Sequence, residues 1–131
     1  MRYLLDTNAL IELIRDGSSA MARRVHLHAV HEIAIPALAL HELYFGAYKS
    51  SRTEENLVTV DKLVFELVPF EREDARMAGM IRDLLRRSGA PIGHYDVLIA
   101  GQALARGLVL VTHNVREFSR VAGLRVEDWQ E

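Results

Sequence analysis

The chain of 131 residues has no cysteine. Disulfide bonds, thiolate metal sites and cysteine nucleophiles are therefore excluded. No stretch approaches the roughly 20 apolar residues that a membrane-spanning helix needs. The N-terminus shows no signal peptide, because the apolar run at residues 3–5 is too short and an acid follows it at once. We therefore expect a cytoplasmic protein that does not enter a membrane.

The chain also lacks an excess of basic charge, since 16 Lys and Arg residues stand against 18 Asp and Glu residues, a formal net charge of −2 at pH 7. This argues against a broad basic surface that binds nucleic acid nonspecifically. It does not exclude a nuclease, because an acidic cleft that holds divalent cations presents a positive face to phosphate. The chain has 50% hydrophobic and 26% charged residues, the composition of a folded globular protein. Its length predicts a single domain over residues 1–131.

Short apolar segments alternate with helical patterns along the chain. Strands are predicted at residues 2–5, 32–36, 65–70, 108–112 and 124–129, and Pro69 either ends the third strand or places it at an edge. Apolar residues at helical spacing predict helices at residues 8–15, 19–31, 37–48, 71–87 and 95–105, with another around 57–64. This alternation predicts an α/β fold of three layers around a short, mostly parallel central sheet.

Three carboxylates lie in apolar surroundings, where an unpaired charge is costly. Asp6 ends the first strand, Glu42 lies within the helix 37–48, and Asp96 opens the helix 95–105. The alternative for Asp6 and Asp96 is a helix cap, which is worth about 1 kcal/mol. The alternative for Glu42 is a partly exposed helix face, paired with Lys49 or Arg52. All three together are harder to explain in this way, and ligands of α/β sheets bind at the carboxyl ends of strands.

The strand at residues 108–112 ends in a polar segment at the same edge of a parallel sheet. Thr112, His113 and Asn114 stand there, and Glu117 follows one helical turn later. Oxygen ligands of this kind suit Mg²⁺ or Mn²⁺. A divalent cation held at this edge can activate water and stabilise the transition state of phosphodiester hydrolysis.

Five segments, taken in order, resemble the PIN-domain nucleases, and most closely the VapC-type toxins of bacterial toxin–antitoxin pairs. They are LLDTN at residues 4–8, HELYFGA at 41–47, IGHYDVLIA at 92–100, VTHNVREF at 111–118 and VAGLRVEDW at 121–129. The resemblance implies a PIN-like α/β/α domain and an Mg²⁺-dependent endoribonuclease, with Mn²⁺ able to substitute. It further implies a cognate antitoxin that neutralises the enzyme, a homodimer, and a hetero-oligomer with the antitoxin.

The resemblance also assigns roles to individual residues. Asp6, Glu42 and Asp96 match the catalytic, metal-binding acids of the family. Many PIN domains have aspartate where this chain has Asn114, and Glu117 is expected to supply the missing charge. The supporting residues are Thr7, Asn8, Thr112, Asn114 and Glu117, and the residues expected to contact RNA or the antitoxin are His94, Arg116 and Arg120.

Two other classes of function stay open. A receiver-like or nucleotide-binding module would hold Mg²⁺ without hydrolysis. A receiver needs an acidic pair near its N-terminus and a lysine after a late strand, whereas here Asp6 stands alone and no lysine follows Lys62. Asn114 favours the other alternative, a catalytically weak or inactive PIN scaffold that serves as a metal- or protein-binding module.

Aromatic residues cluster in the helix predicted at residues 37–48. They are Tyr44, Phe45 and Tyr48. Such residues either join the hydrophobic core or line a surface for a dimer partner or an antitoxin, and we expect Phe45 in the core.

Overall fold

Five short strands form the centre of the computed structural model, which describes residues 1–131. They are β1 (Tyr3–Leu5), β2 (Ile33–Pro36), β3 (Glu66–Val68), β4 (Val109–Val111) and β5 (Val126–Glu127), and they lie in the order β3-β2-β1-β4-β5. Every neighbouring pair is parallel, so all five carboxyl ends meet at one edge. The predicted strands are confirmed, and β3 lies at an edge of the sheet, as Pro69 indicated.

Helices cover both faces of this sheet. They are α1 (Thr7–Arg15), α2 (Ala20–Val25), α3 (Ala37–Lys49), α4 (Thr53–Asp61), α5 (Arg72–Arg87), α6 (His94–Arg106) and α7 (Val115–Phe118). None of them combines the length and the hydrophobicity needed to cross a membrane. The three-layer α/β/α prediction is confirmed, with a sheet that is entirely parallel.

The strands divide the hydrophobic core into two halves, because successive side chains point to opposite faces of a sheet. Tyr3 and Leu5 of β1 pack with buried residues of α1, α2, α3 and α4. Leu4, between them, packs with buried residues of α5, α6 and α7. The sheet is therefore buried on both faces, which leaves its carboxyl edge as the natural place for a site.

Helices α5 and α6 are joined by a close contact and by a partly buried ion pair. A β-carbon at Gly101 would lie 2.7 Å from the β-carbon of Ala78, so only glycine permits this approach. The guanidinium of Arg106 donates to both carboxylate oxygens of Asp74, at 3.2 and 2.9 Å. The backbone N–H of Glu71 donates to the same carboxylate at 2.8 Å. Asp74 is almost fully buried, which its charged stretch of sequence does not predict.

The prediction of one helix over residues 19–31 is wrong. The helix α2 ends at Val25, and the chain continues through a turn and a short 3-10 helix, Val30–Glu32. In that turn the ring of His28 stacks on Trp129, with the ring centroids 5.0 Å apart, and contacts Tyr3 at 4.7 Å. These contacts link the turn to the end of the chain. Tertiary packing therefore overrides the helical pattern here.

The prediction of a core position for Phe45 is also wrong. The buried stripe of α3 includes Leu43 and Ala47, one turn apart, and Tyr44 packs against it. Phe45 lies two residues beyond Leu43, which turns it about 200° away from that stripe. Its side chain is 59% exposed and that of Tyr48 is 67% exposed. Both rings therefore belong to the surface.

Candidate active site

Strand β1 brings Asp6 to the carboxyl edge of the sheet. Its backbone N–H donates to the carbonyl of Val111 at 3.1 Å, which extends the ladder to β4 by one residue. Its side chain accepts the N–H of Ala9 at 2.8 Å and so caps α1. Only 3% of Asp6 is exposed. The capping interpretation is correct for Asp6, and it also fixes this carboxylate at the edge.

Helix α3 carries Glu42 to the same edge. The hydroxyl of Thr7 donates to Glu42 Oε1 at 3.2 Å, so the helix that follows β1 and the helix that follows β2 meet here. The alternative partners of Glu42 are engaged elsewhere: Arg52 pairs with Glu55, and the Lys49 ammonium lies over an aromatic ring. The pairing interpretation for Glu42 is therefore wrong.

Asp96 is the third residue of α6 and faces the cleft without a hydrogen bond. No side chain caps this helix, whose cap residue is Gly93. A β-carbon at Gly93 would lie 2.9 Å from Asp96 Oδ2, so the missing side chain leaves room for the carboxylate. The capping interpretation is wrong for Asp96, although a negative charge in the first turn of a helix is still favourable.

These three carboxylates line one cleft, which we call the acidic cleft. Its other lining residues are Thr7, Asn8, Gly93, His94 and Tyr95. The acids come from three separate elements, namely the end of β1, the middle of α3 and the start of α6. The fold therefore assembles residues that are up to 90 positions apart, as Asp6 and Asp96 are.

The acids of the cleft repel one another. Burial, together with the charges of Asp6, Glu117 and Glu42, raises the pKa of Asp96 to about 6. Burial also raises the pKa of Asp6, where hydrogen bonds from Thr112 and from the backbone act in the opposite direction. The raised pKa values of these two carboxylates show that the protein does not neutralise their negative charge with a basic partner.

The supporting residues divide between two places. The buried Thr112 acts to lower the pKa of Asp6 and accepts the backbone N–H of Asn114 at 2.9 Å. The charge of Glu117 acts on Asp96, but Glu117 is not among the residues that line the acidic cleft. Asn114 does not line that cleft either and opens into a neighbouring pocket. The expectation that Glu117 offsets the missing acid therefore stays a prediction.

The residues expected to contact RNA or the antitoxin also differ in their surroundings. His94 lines the acidic cleft, and Arg116 is exposed and forms no ion pair. Arg120 donates to the carbonyl of Pro91 at 3.2 Å, in the segment before α6. Sequence reasoning missed Tyr95 as a lining residue, although its place beside an acid in an apolar helix was a usable signal.

The donor set of the acidic cleft suits a hydrated Mg²⁺ or Mn²⁺ ion. No group of three or more His, Asp or Glu side chains is drawn together closely enough to enclose an ion by itself. Mg²⁺ does not need such a cage, because it keeps several waters and binds through one or two carboxylates together with substrate phosphates. Asp96 has no hydrogen bond from the protein, so its oxygens can serve such an ion.

Comparison with known proteins identifies the family. The model of the PIN domain matches residues 3–124. The chain is 40% identical to the tRNA(fMet)-specific endonuclease VapC of Salmonella typhimurium, with 98% of each chain covered. It is 34% identical to ribonuclease VapC2 of Haemophilus influenzae, again with 98% of each covered.

Solved structures agree with this result. A chain of DNA-bound VapBC from Salmonella typhimurium superposes with a TM-score of 0.93 at 40% identity, with 98% of both chains covered. A chain of VapBC2 from Rickettsia felis, bound to a DNA fragment from their promoter, superposes with a TM-score of 0.91 at 33% identity, with 98% of this chain and 99% of that chain covered. The resemblance drawn from the five sequence segments is thus confirmed over nearly the whole chain. The protein belongs to the PIN-domain family and, within it, to the VapC-type toxins.

Proposed function

We propose that this protein is an Mg²⁺-dependent endoribonuclease, in which Mn²⁺ can substitute, and that a cognate antitoxin neutralises it. One observation carries the proposal: Asp6, Glu42 and Asp96 converge on one cleft. None of the three forms an ion pair with an arginine or a lysine. Uncompensated carboxylates in a cleft are costly unless a cation completes the site.

The acids of the cleft would hold the cation through one or two carboxylates at a time together with water, and Asp6 and Glu42 are held in place for that role. A bound cation supplies polarisation of the scissile phosphate and lowers the pKa of water at the site. Asp6 is held in place by the backbone N–H of Ala9 before any ligand arrives. Glu42 is held by the hydroxyl of Thr7. These fixed positions reduce the reorganisation needed in the reaction.

Asp96 would serve as a ligand of the cation. In the metal-free cleft its pKa is raised to about 6 by burial and by the charges of Asp6, Glu117 and Glu42, and a bound cation would lower that pKa again. No protein group hydrogen-bonds to Asp96, so its oxygens are open to the cation and its waters.

Uncharged and basic residues around the acids would receive the RNA. Asn8 at the cleft can donate to a phosphate oxygen, and His94 can stack on or bond to a neighbouring nucleotide. Arg116 is exposed on α7, where it can pair with a phosphate of the RNA backbone. Arg120 contributes to RNA or antitoxin binding through the guanidinium nitrogens that Pro91 leaves free.

The first candidate substrate is the initiator tRNA. The relatives from Salmonella typhimurium and Shigella flexneri, 40% and 39% identical, are both named tRNA(fMet)-specific endonucleases. We propose that the RNA is cleaved in the cytoplasm, where that tRNA is found. We expect a single cut in purified initiator tRNA with Mg²⁺ and none in elongator tRNAs.

Gel analysis of tRNA incubated with the purified protein tests this assignment. We expect EDTA to abolish cleavage, and Asp96→Asn to lower the rate on the order of 10³-fold, because metal catalysis contributes several kcal/mol. Arg87→Gln, a substitution in a surface ion pair on α5, provides a matched control that should cleave normally. Cleavage by Asp96→Asn at the wild-type rate would overturn the proposed active site, and would favour the inactive scaffold that Asn114 suggested.

The antitoxin would bind beside the acidic cleft. A groove between α1, α3 and α4 is lined by Ile11, Ile14, Leu43, Gly46, Ala47 and Val60, and its rim includes Glu42. An amphipathic helix of the antitoxin fits such a groove, and a basic side chain at its end would meet the acids. Relatives from Salmonella typhimurium and Rickettsia felis were solved as VapBC complexes. Co-expression with the product of the adjacent upstream reading frame should restore growth.

We also propose a homodimer that joins a larger hetero-oligomer with the antitoxin. The exposed rings of Phe45 and Tyr48 on α3 supply the apolar surface for contact with a second copy. Sedimentation velocity should give a dimer for the wild type and a monomer for Phe45→Ser with Tyr48→Ser. A monomeric wild-type protein would contradict this assignment without affecting the active site.

A further inference from the structure

A second pocket adjoins the acidic cleft on the β4 side of Asp6 and shares Asn8 with it. Three elements line this pocket: the exposed face of α1 (Asn8, Ile11 and Arg15), the turn after β4 (His113 and Asn114), and Gln130 at the end of the chain. Glu42 and Asp96, by contrast, do not line it. We call it the amide pocket, because it contains the side-chain amides of Asn8, Asn114 and Gln130.

None of these three side-chain amides forms a hydrogen bond within the chain, whereas the backbone that carries two of them is fixed. The backbone N–H of Asn114 donates to Thr112 Oγ1 at 2.9 Å. The backbone N–H of Gln130 donates to Asp128 Oδ1 at 2.8 Å, and the other oxygen of Asp128 contacts His113 Nδ1 at 3.0 Å. The backbone therefore brings these amides to one pocket, and their donors and acceptors are unused.

The chemistry of the amide pocket matches one nucleotide of an RNA strand. An amide presents a carbonyl acceptor and an NH₂ donor side by side, the pattern that reads the edge of a base. Ile11, 44% exposed, offers an apolar surface for the face of the base. Arg15 offers a guanidinium whose remaining N–H groups can contact a phosphate while the ion pair with Glu12 is kept.

The charge of the amide pocket also differs from that of the acidic cleft. Its one lining acid, Glu12, is paired with Arg15, and His113 is paired with Asp128. A polyanion therefore meets no uncompensated carboxylate in this pocket, even without a divalent cation. The amide pocket can bind a nucleotide independently of the metal-binding acids.

We propose that the amide pocket is a nucleobase subsite, which selects the nucleotide next to the phosphate that the acidic cleft cleaves. As a selector of RNA sequence the subsite rests on the proposed nuclease function, but its binding of a nucleotide does not. In this proposal Asn114, which stands where many PIN domains have an aspartate, binds the base instead of the cation. Gln130 is a specificity residue of the subsite.

Nuclear magnetic resonance of the protein in EDTA tests binding without catalysis. Side-chain NH₂ signals are followed during titration with the four nucleoside 5′-monophosphates and with ribose 5-phosphate, which has no base. We expect the signals of Asn8, Asn114 and Gln130 to shift with one or two of the four nucleotides. The signal of Asn56, whose amide donates to Ser50 elsewhere on the surface, is the internal control.

The variant Gln130→Leu removes one amide at nearly constant volume. We expect its affinity for the preferred nucleotide to fall about tenfold, the factor that one hydrogen bond is worth. Equal shifts with ribose 5-phosphate would overturn the base subsite, and so would the absence of shifts with any nucleotide. An unchanged nucleotide affinity in Gln130→Leu, with its fold confirmed by its spectrum, would overturn it as well.

Cleavage of short oligoribonucleotides separates this proposal from that of nuclease function. We expect Gln130→Leu to reduce the preference for one base beside the cut about tenfold, as the loss of one hydrogen bond predicts. If the wild type binds nucleotides in the amide pocket but cleaves no RNA, the nuclease proposal fails and the binding site stands. If it cleaves RNA with an unchanged base preference in Gln130→Leu, the subsite fails and the nuclease stands.

Discussion

Asp6 and Asp74 are two buried aspartates with opposite surroundings. They are 3% and 1% exposed, respectively. Asp74 receives two hydrogen bonds from Arg106 and one from the backbone of Glu71, and this pairing raises the pKa of Arg106. Asp6 shares its cleft with other carboxylates and has no basic partner among the arginines and lysines.

The difference teaches that burial of a carboxylate does not mark a functional site. What matters is whether the protein compensates the charge. Asp74 has its counter-ion within the chain and serves to join α5 to α6. Asp6 keeps part of its charge uncompensated, which is the condition for binding a cation from solution. Mutations of the two residues should therefore have opposite consequences.

The largest expected effect is the loss of cleavage in Asp6→Asn. The amide oxygen of asparagine can still accept the Ala9 N–H, so α1 keeps its cap. Removing a repelled charge should leave the melting temperature unchanged or raise it, while cleavage falls on the order of 10³-fold. Cleavage assays and thermal melts on the same preparation check both parts. A large fall in melting temperature would show that Asp6 is mainly structural.

The second effect is a loss of stability in Asp74→Asn. Replacing Asp74 removes the nearer of the two carboxylates that pair with Arg106 and leaves Glu71 at 3.3 Å, which should lower the free energy of unfolding by about 2 kcal/mol. Urea denaturation measures this change, and cleavage per folded molecule should stay normal. The double variant Asp74→Asn with Arg106→Met should recover most of the loss, because no buried charge remains unpaired. If the double variant is as unstable as Asp74→Asn, the structural role assigned to the pair of Asp74 and Arg106 is wrong.

The third effect is stabilisation by a cation. At a Mn²⁺ concentration about 100 times the dissociation constant, the folded protein should gain about 2.7 kcal/mol. The melting temperature of the wild type and of Asp74→Asn should therefore rise with Mn²⁺, whereas that of Asp96→Asn should rise much less. Equal shifts in all three proteins would place the cation outside the acidic cleft.

The smallest effect is a pH dependence of the metal-free protein. Asp96 has a pKa of about 6 in the folded state against its usual 3.8, so the folded state holds more protons between these values. The free energy of unfolding should therefore fall as the pH rises from about 4 to about 6, and Asp6 acts in the same direction. Asp16, Glu32 and Asp83 have lowered pKa values and act in the opposite direction.

The difference between the wild type and Asp96→Asn isolates this contribution. We expect the two proteins to converge in stability below pH 4, and the variant to become the more stable one above pH 6. Denaturation in EDTA at a series of pH values provides the measurement. A constant difference across the range would show that Asp96 has no raised pKa.

The sequence predicted most of the fold because alternation and spacing are local. The patterns of β1 and of α5 lie within neighbouring residues, and their positions are confirmed. Residues 26–31 escaped prediction because His28 is held by Trp129, which is far away in the chain. Phe45 was assigned to the core from its hydrophobicity, but the rotation of α3 turns it to solvent.

The acidic cleft could be foreseen in part because an acid in an apolar segment is itself a signal. Asp6, Glu42 and Asp96 carry that signal in the sequence. Asp74 was overlooked because it lies in a charged stretch of α5, and its burial depends on Arg106 of another helix. Gln130 could not be found at all, since a polar residue at the end of a chain has no distinguishing pattern.

The sequence by itself determined that the chain forms an α/β sheet with acids at strand and helix ends, because periodicity and polarity are properties of adjacent residues. Only the tertiary structure decided which charges are compensated, because a counter-ion such as Arg106 is chosen by the packing of distant elements. Tertiary structure also placed Asn114 and Gln130 in one pocket beside Asp6. The return of the chain end to the carboxyl edge, anchored by the buried Trp129, makes that pocket possible.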